Sequence, residues 1–162
     1  MNKDISILVV EDDPAFRNLI DDCLSRDRFT VHTAERVVGA LDLMDDADIL
    51  IVDLGLPNGS GRTLLGHWNR GKKNNRPSIV ITGGTITKED LDLLLRDAWN
   101  VLGKPFRVSL LGAVVDRYAN CVRGLRAFAE IASLRRKIAF LTVVVAALGG
   151  YEILLPLFRS FF

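Results

Sequence analysis

Short apolar runs alternate with segments of helical periodicity along the first two thirds of the chain. The runs have the length of β-strands and cover residues 5–10, 30–34, 49–52, 78–82 and 101–102. Between them, apolar residues recur three and four positions apart, as at Phe16, Leu19, Ile20 and Leu24, which is helical spacing. Parallel strands need a connection of helix length, so five β-α repeats predict an α/β fold, a doubly wound five-stranded parallel sheet with helices on both faces.

Polar residues that can bind ligands or take part in a reaction follow these predicted strands. They are Glu11, Asp12, Asp13, Asp53, Thr82 and Lys104. In doubly wound folds, ligands bind beyond the carboxyl ends of the strands, so we expect these side chains to converge at one edge of the sheet. Clustered carboxylates repel one another unless a cation lies between them, and their hard oxygen atoms suit Mg²⁺. Asp53 is then a candidate nucleophile for an acyl phosphate, with Thr82 and Lys104 as donors to the transferring group.

Four segments resemble, in order, the motif blocks of the receiver domain of response regulators. They read ILVVEDDPAFR, ILIVDLGLPNGSG, IVITGG and LGKPF, and all lie within residues 1–123, which we assign to the receiver domain. The resemblance implies a flavodoxin-like sheet with strand order 2-1-3-4-5. It also implies a signalling switch that receives its phosphoryl group from a histidine kinase or phosphotransfer protein. Such a domain is not an enzyme beyond self-phosphotransfer and autodephosphorylation.

The resemblance also implies a role for each matching residue. Glu11 and Asp12 would be the acidic pair that binds Mg²⁺, and Asp53 would be both phosphoacceptor and metal ligand. The backbone carbonyl of Gly55 would complete the metal site. Thr82 would be the switch hydroxyl, and Lys104 the family's lysine, joined to a proline by a cis peptide. Asp13 falls one place beyond the pair, so we assign it to the N-terminus of the following helix.

The chain departs from the family pattern in two places. Three positions before Lys104, where many family members have Tyr or Phe, it has Val101, and Trp99 lies two residues earlier. Gly83 and Gly84 follow the predicted switch threonine, where a residue such as Ala is common. These departures affect the transmission of a signal more than the acceptance of a phosphoryl group.

Composition and the N-terminal sequence argue against several further classes of function. The net charge of +1 gives no global basic excess for binding nucleic acid. Cys23 and Cys121 lack metal-site spacing and are expected to be reduced thiols, while His32 and His67 lie too far apart in the sequence to suggest a metal site. The N-terminus turns acidic directly after its short apolar run, unlike a signal peptide. We therefore expect the receiver domain to lie in the cytoplasm.

A helical extension, residues 124–162, follows the receiver domain. One long helix through Gly124 is the simplest interpretation, and residues 125–137 are amphipathic and basic. Residues 138–158 carry only one charge, at Glu152, and as a helix they would reach about 30 Å, the thickness of a bilayer core. Arg135, Arg136 and Lys137 precede them, as the positive-inside rule expects of a cytoplasmic flank. This favours a tether to the inner membrane.

An oligomerising helix is the alternative for the same segment. Apolar residues spaced alternately three and four apart form a predicted seam of Ile131, Leu134, Ile138, Leu141, Val145 and Leu148. A soluble protein could use this seam for a homodimer or for binding a partner, with or without phosphorylation. The residues after the receiver domain are too few and too apolar for a DNA-reading domain, so we expect no DNA-binding output.

Overall fold

The computed structural model describes residues 5–25, 29–57, 61–70, 76–84 and 86–147. Five strands are present in this part of the chain: β1 (Ile5–Val10), β2 (Phe29–Ala34), β3 (Ile49–Asp53), β4 (Ser78–Thr82) and β5 (Asn100–Gly103). The helices are α1 (Pro14–Ser25), α2 (Val37–Leu43), α3 (Gly61–Arg70), α4 (Lys88–Asp97) and α5 (Val108–Ala147). The predicted α/β alternation is confirmed. Asp53 is the last residue of β3 instead of the residue after it.

All strand pairs in the sheet are parallel, and the order is β2-β1-β3-β4-β5. This is the predicted flavodoxin-like order. Asp53 is paired with Ile81, and Thr82 with Gly103. The register therefore brings the carboxyl ends of the central strands to the same edge.

Alternate residues of each strand supply two cores, one on each face of the sheet. Ile7 and Val9 of β1 belong to the core that also contains residues of α1 and α5. Leu8 and Val10 belong to the core that contains residues of α2, α3 and α4. Both faces of the central strands are buried, which explains their uninterrupted apolar sequences.

A buried arginine supports the turn that leads into β3. Arg76 Nη1 donates hydrogen bonds to the carbonyls of Met44 (2.6 Å) and Ala47 (2.7 Å). Its guanidinium carbon lies 3.6 Å from the ring centroid of Trp68, a cation–π contact. Burial lowers the pKa of Arg76, opposed by the nearby carboxylates of Asp45 and Asp48. These contacts fix the turn in which the Ala47 N–H also donates to the Met44 carbonyl (3.4 Å).

The chain divides into two compact units, Met1–Val122 and Arg123–Phe162, and α5 contributes to both. α5 runs through Gly124 as predicted. A single glycine costs a helix only about 1 kcal/mol, which forty helical residues absorb. Among the described residues, no helix is long and apolar enough to cross a membrane. The predicted membrane span, residues 138–158, and the predicted seam, which ends at Leu148, both extend past residue 147, the last described residue. Both therefore stay predictions.

Candidate functional site

The predicted site residues lie at the carboxyl edge of the sheet, where backbone hydrogen bonds continue the ladder beyond the strands. The Glu11 N–H donates to the Ala34 carbonyl (3.1 Å), and the Lys104 N–H donates to the Thr82 carbonyl (2.7 Å). Glu11, Asp53 and Thr82 are all buried. Their positions are therefore set by the sheet.

Lys104 joins two carboxylates across this edge. Its Nζ lies 2.7 Å from Asp53 Oδ2, and 3.0 and 2.9 Å from the two carboxylate oxygens of Glu11. The same Nζ lies 4.5 Å from the ring centroid of Phe16, whose ring packs edge-on against Phe106. The Lys104–Pro105 peptide bond is cis, as the resemblance implied. Asp53 at the end of β3, Glu11 directly after β1 and Lys104 directly after β5 thus form one charged cluster.

The charges in this cluster depend on one another. Burial raises the pKa of Glu11, the hydrogen bond from Lys104 opposes the rise, and the nearby Asp53 carboxylate adds to it. The pKa of Lys104 is raised as well: burial alone would lower it, but the hydrogen bonds to Asp53 and Glu11 outweigh that effect. The ammonium compensates two carboxylates that would otherwise repel each other.

Three carboxylates are placed to share a cation. Glu11, Asp12 and Asp53 each present an oxygen, and these oxygens lie within 4.8 Å of one another. Asp12 is exposed while the other two are buried, so the cluster opens to solvent on one side. Hard oxygen donors with one open side fit Mg²⁺, which retains several waters when bound to proteins.

Gly55 and Asp13 border the acidic cluster. The Gly55 N–H donates to Asp53 Oδ1 (2.8 Å), which fixes the direction of that carboxylate. The role of the Gly55 carbonyl as a metal ligand stays a prediction. Asp13 Oδ1 accepts hydrogen bonds from the N–H groups of Ala15 (2.8 Å) and Phe16 (3.3 Å). Asp13 therefore serves the N-terminus of α1, as expected.

Thr82 ends β4 beside this cluster and is followed by two exposed glycines, Gly83 and Gly84. A Cβ on Gly83 would lie 3.5 Å from the Lys104 side chain, an ordinary contact distance. The structure brings Glu11, Asp53 and Lys104 into direct contact and places Thr82 at the adjacent strand end.

A second polar cluster near the site was not predicted from the sequence. Thr87 and Asp90 form a reciprocal capping box at the start of α4. The buried Asp90 also pairs with the Arg62 guanidinium of α3. This ion pair, with the hydrogen bonds from Thr87, holds the pKa of Asp90 well below its usual range. The Thr-x-x-Asp spacing is a helix-start signal that could have found the cap, but not the partner on α3.

Gly61, the first residue of α3, lies against the backbone of Asp53. A Cβ at this position would lie 2.0 Å from the Asp53 carbonyl oxygen, which is well inside the repulsive range. Only glycine allows α3 to begin this close to the end of β3.

The structure therefore defines an α/β domain with a five-stranded parallel sheet, whose edge carries a buried aspartate, a bridging lysine and three carboxylates placed to share a cation. Residues 7–116 match the family described as response regulator receiver domain. The chain belongs to this family, and the resemblance seen in the sequence is confirmed.

Known relatives contain this domain within longer proteins. The chain is 36% identical over 141 residues to the sensor histidine kinase TmoS of Ectopseudomonas mendocina, a match covering 84% of this chain and 14% of the relative. It is 32% identical over 118 residues to the transcriptional regulatory protein KdpE of Staphylococcus aureus, covering 70% of this chain and 50% of the relative. The chain thus spans half or less of the length of these relatives.

Solved structures share the fold. The receiver domain of an HD domain-containing protein from Pseudomonas fluorescens aligns with a TM-score of 0.67 at 21% identity, over 74% of this chain and 98% of that one. A CheY-like receiver domain protein from Methanospirillum hungatei aligns with a TM-score of 0.64 at 22% identity, over 72% and 94%. These two likenesses show the fold, and the family match shows that the chain contains a receiver domain of two-component signalling, a class of switches that are generally not enzymes.

Proposed function

We propose that Asp53 accepts a phosphoryl group from a phosphohistidine of a histidine kinase or phosphotransfer protein. The observation that carries this proposal is the contact of Lys104 Nζ with both Asp53 and Glu11. This contact supports the proposal because an ammonium beside the Asp53 carboxylate can pair with an equatorial oxygen of an incoming phosphoryl group. An Asp53 carboxylate oxygen attacks the phosphorus, the P–N bond breaks, and the donor imidazole leaves with the bonding electron pair.

The neighbouring residues have separate parts in this step. Glu11, Asp12, Asp53 and the Gly55 carbonyl would hold Mg²⁺, which when bound neutralises charge on the carboxylates and on the phosphoryl oxygens. Lys104 pairs with a phosphoryl oxygen, and the Thr82 hydroxyl donates a hydrogen bond to another. The only reactions of the chain itself are this self-transfer and the later hydrolysis of the acyl phosphate. Output is contact with another protein.

Labelling of the intact protein tests this assignment. The full chain is incubated with acetyl phosphate and Mg²⁺, and intact mass is followed for the gain of one phosphoryl group. We expect D53N to lose the label. D12N should need more Mg²⁺ for the same labelling, whereas the matched control D13N should label normally, because the Asp13 side chain accepts hydrogen bonds from the start of α1 and its backbone is unchanged. Labelling that persists in D53N would reject Asp53 as the acceptor.

We further propose that residues 138–158 hold the receiver domain at the cytoplasmic face of a membrane. Ile138, Phe140 and Leu141 are exposed at the start of this segment. The basic run 135–137 precedes them, as the positive-inside rule expects of a cytoplasmic flank. In fractionated cells, the full chain should sediment with membranes and resist extraction by high salt. Recovery in the supernatant without detergent would remove the tether from this proposal and leave the phosphoacceptor intact.

A further inference from the structure

The second half of α5 presents a row of large apolar side chains to solvent. Ile131, Leu134, Ile138 and Leu141, the part of the predicted seam whose side chains are described, are 51%, 51%, 62% and 59% exposed. Their spacings of three, four and three residues place them along one side of the helix. Exposed apolar rows of this kind are uncommon on a free surface and mark an interaction site.

We propose that a second copy of this chain covers the seam, forming a parallel, in-register, two-stranded coiled coil. Isoleucine occupies the first apolar position of each heptad, at Ile131 and Ile138, and leucine the second, at Leu134 and Leu141. A β-branched residue at the first position with leucine at the second favours two parallel strands over larger bundles. The choice of apolar residues therefore indicates two strands for a parallel coiled coil, and the charges beside the seam bear on its direction.

Charge complementarity supports the same arrangement. Glu130 directly precedes the seam residue Ile131, and Arg135 directly follows Leu134, so both flank the seam. In a parallel pair, the flanking residue before one heptad faces the residue five positions later on the other strand. Glu130 of each copy then faces Arg135 of the other. Glu130 is the one acidic residue between Arg123 and Lys137, and it falls at the flank that pairs with an arginine.

Antiparallel arrangements fit the sequence less well. If the same four apolar residues stacked on one another in opposite directions, Arg135 would lie beside Arg135 and Lys137 beside Lys137 of the second copy. Shifting this antiparallel register by one heptad toward the N-terminus sets Ile138 and Leu141 against the small residues Ala127 and Gly124, which leaves much of both side chains uncovered. Shifting it the other way stacks the whole predicted seam but leaves Glu130 without a basic partner. The parallel pair avoids the repulsion and buries like against like.

The coiled coil leaves some apolar residues for another contact. Leu125 and Phe140 are also exposed but lie on the opposite side of the helix from the seam. They are compatible with the membrane tether proposed above, which the homodimer neither requires nor excludes. Pairing depends on the sequence of α5 alone and does not depend on phosphorylation of Asp53.

Disulfide cross-linking tests direction and register together. The exposed native thiols are first removed in a C23S/C121S background. In the full chain in mild detergent, L134C should give mainly covalent dimers on gentle oxidation. R136C, two residues away on the opposite side of the helix, should stay monomeric. Equal cross-linking of both variants, or none at L134C, would overturn the proposal, as would cross-linking of L134C only with an I138C copy.

Charge exchange provides the second arm. E130R should raise the dimer dissociation constant about tenfold, because two attractive pairs become two repulsive ones. The double variant E130R/R135E should restore the wild-type dissociation constant, because each new arginine again faces a glutamate. If E130R weakened the dimer by damaging the helix, the second substitution would not restore it. Unchanged labelling of Asp53 by acetyl phosphate shows that the receiver domain remains folded. A dissociation constant that E130R leaves unchanged, or that the exchange does not restore, would refute the pairing.

Discussion

Replacing Lys104 with methionine removes the only ammonium that contacts both Asp53 and Glu11 among the described residues, while keeping most of the side-chain volume. Breaking a fully buried ion pair by removing one partner costs about 3–5 kcal/mol, and an exposed pair contributes about 0–1 kcal/mol. Lys104 lies between these cases, because its side chain is 26% exposed while those of Glu11 and Asp53 are 2% and 11% exposed. We therefore expect K104M to lower the free energy of unfolding by about 2 kcal/mol near neutral pH without Mg²⁺.

The loss should depend on pH in a definite direction. Without the ammonium, the pKa of Glu11, already raised by burial and by Asp53, rises further above its unfolded value. A carboxyl group with a raised folded pKa destabilises the fold while it is ionised, and this penalty fades as pH falls and the group takes up a proton. The difference between K104M and wild type should shrink by about half from about pH 7.5 to about pH 5.

Urea denaturation followed by tryptophan fluorescence measures this difference, since Trp68 is buried in the core. The matched control is K88M, which removes an exposed lysine at the start of α4. It should change stability by less than about 0.5 kcal/mol. Equal losses in the two variants, or a K104M loss that does not change with pH, would refute the argument that Lys104 compensates the carboxylate pair.

Three further predictions concern the surroundings of the site. G61A should lower the free energy of unfolding by about 2–3 kcal/mol, because the new Cβ overpacks against the backbone of β3. The control G39A lies inside α2, where a Cβ meets nothing within 4 Å, and should raise the free energy of unfolding by about 0.5–1 kcal/mol. Similar thermal shifts in the two variants would contradict the close approach of Gly61 to Asp53. T87A should cost about 1 kcal/mol. Because the pKa of Asp90 is depressed in the folded state, its ionised carboxylate contributes fully to the free energy of unfolding above about pH 5, and this contribution is lost as pH falls below about 4. The free energies of unfolding of D90N and wild type should therefore converge in acid. Removing Mg²⁺ with a chelator should abolish labelling by acetyl phosphate, and D12N should shift the Mg²⁺ titration upward at least several-fold; labelling that is indifferent to the ion would exclude the metal site.

Strand-end reasoning predicted the centre of the site because it depends on topology alone. Once the chain alternates strands and helices, Glu11, Asp53 and Lys104 must meet at one edge, although they lie far apart in sequence. The contact of Phe16 with Lys104 was not predictable in the same way. It depends on how α1 packs, because the spacing of Phe16 indicates only that it packs against the core, which it also does.

Polar contacts between separate elements of the fold could not be predicted from the sequence for a related reason. Arg62 and Asp90 are 28 residues apart and lie on different helices, so their pairing follows from the relative placement of α3 and α4. Arg76 reaches the carbonyls of Met44 and Ala47 across a similar separation. Periodicity gives the buried face of each helix, but not which polar groups meet between neighbouring helices.

The position of Trp99 bears on how phosphorylation could be transmitted. The Trp99 N–H donates to the Ser78 carbonyl (3.0 Å) at the beginning of β4, and its carbonyl accepts from the Tyr118 hydroxyl (2.9 Å) of α5. Its ring packs edge-on against Tyr118, with centroids 5.6 Å apart. Thr82 ends β4, and four residue steps along the strand separate it from Ser78 by about 13 Å. Trp99 is therefore fixed at the far end of the strand from the predicted switch hydroxyl and cannot replace the aromatic residue that many relatives have at the position of Val101. A displacement of Thr82 would instead act first on Gly83 and Gly84, which directly follow it.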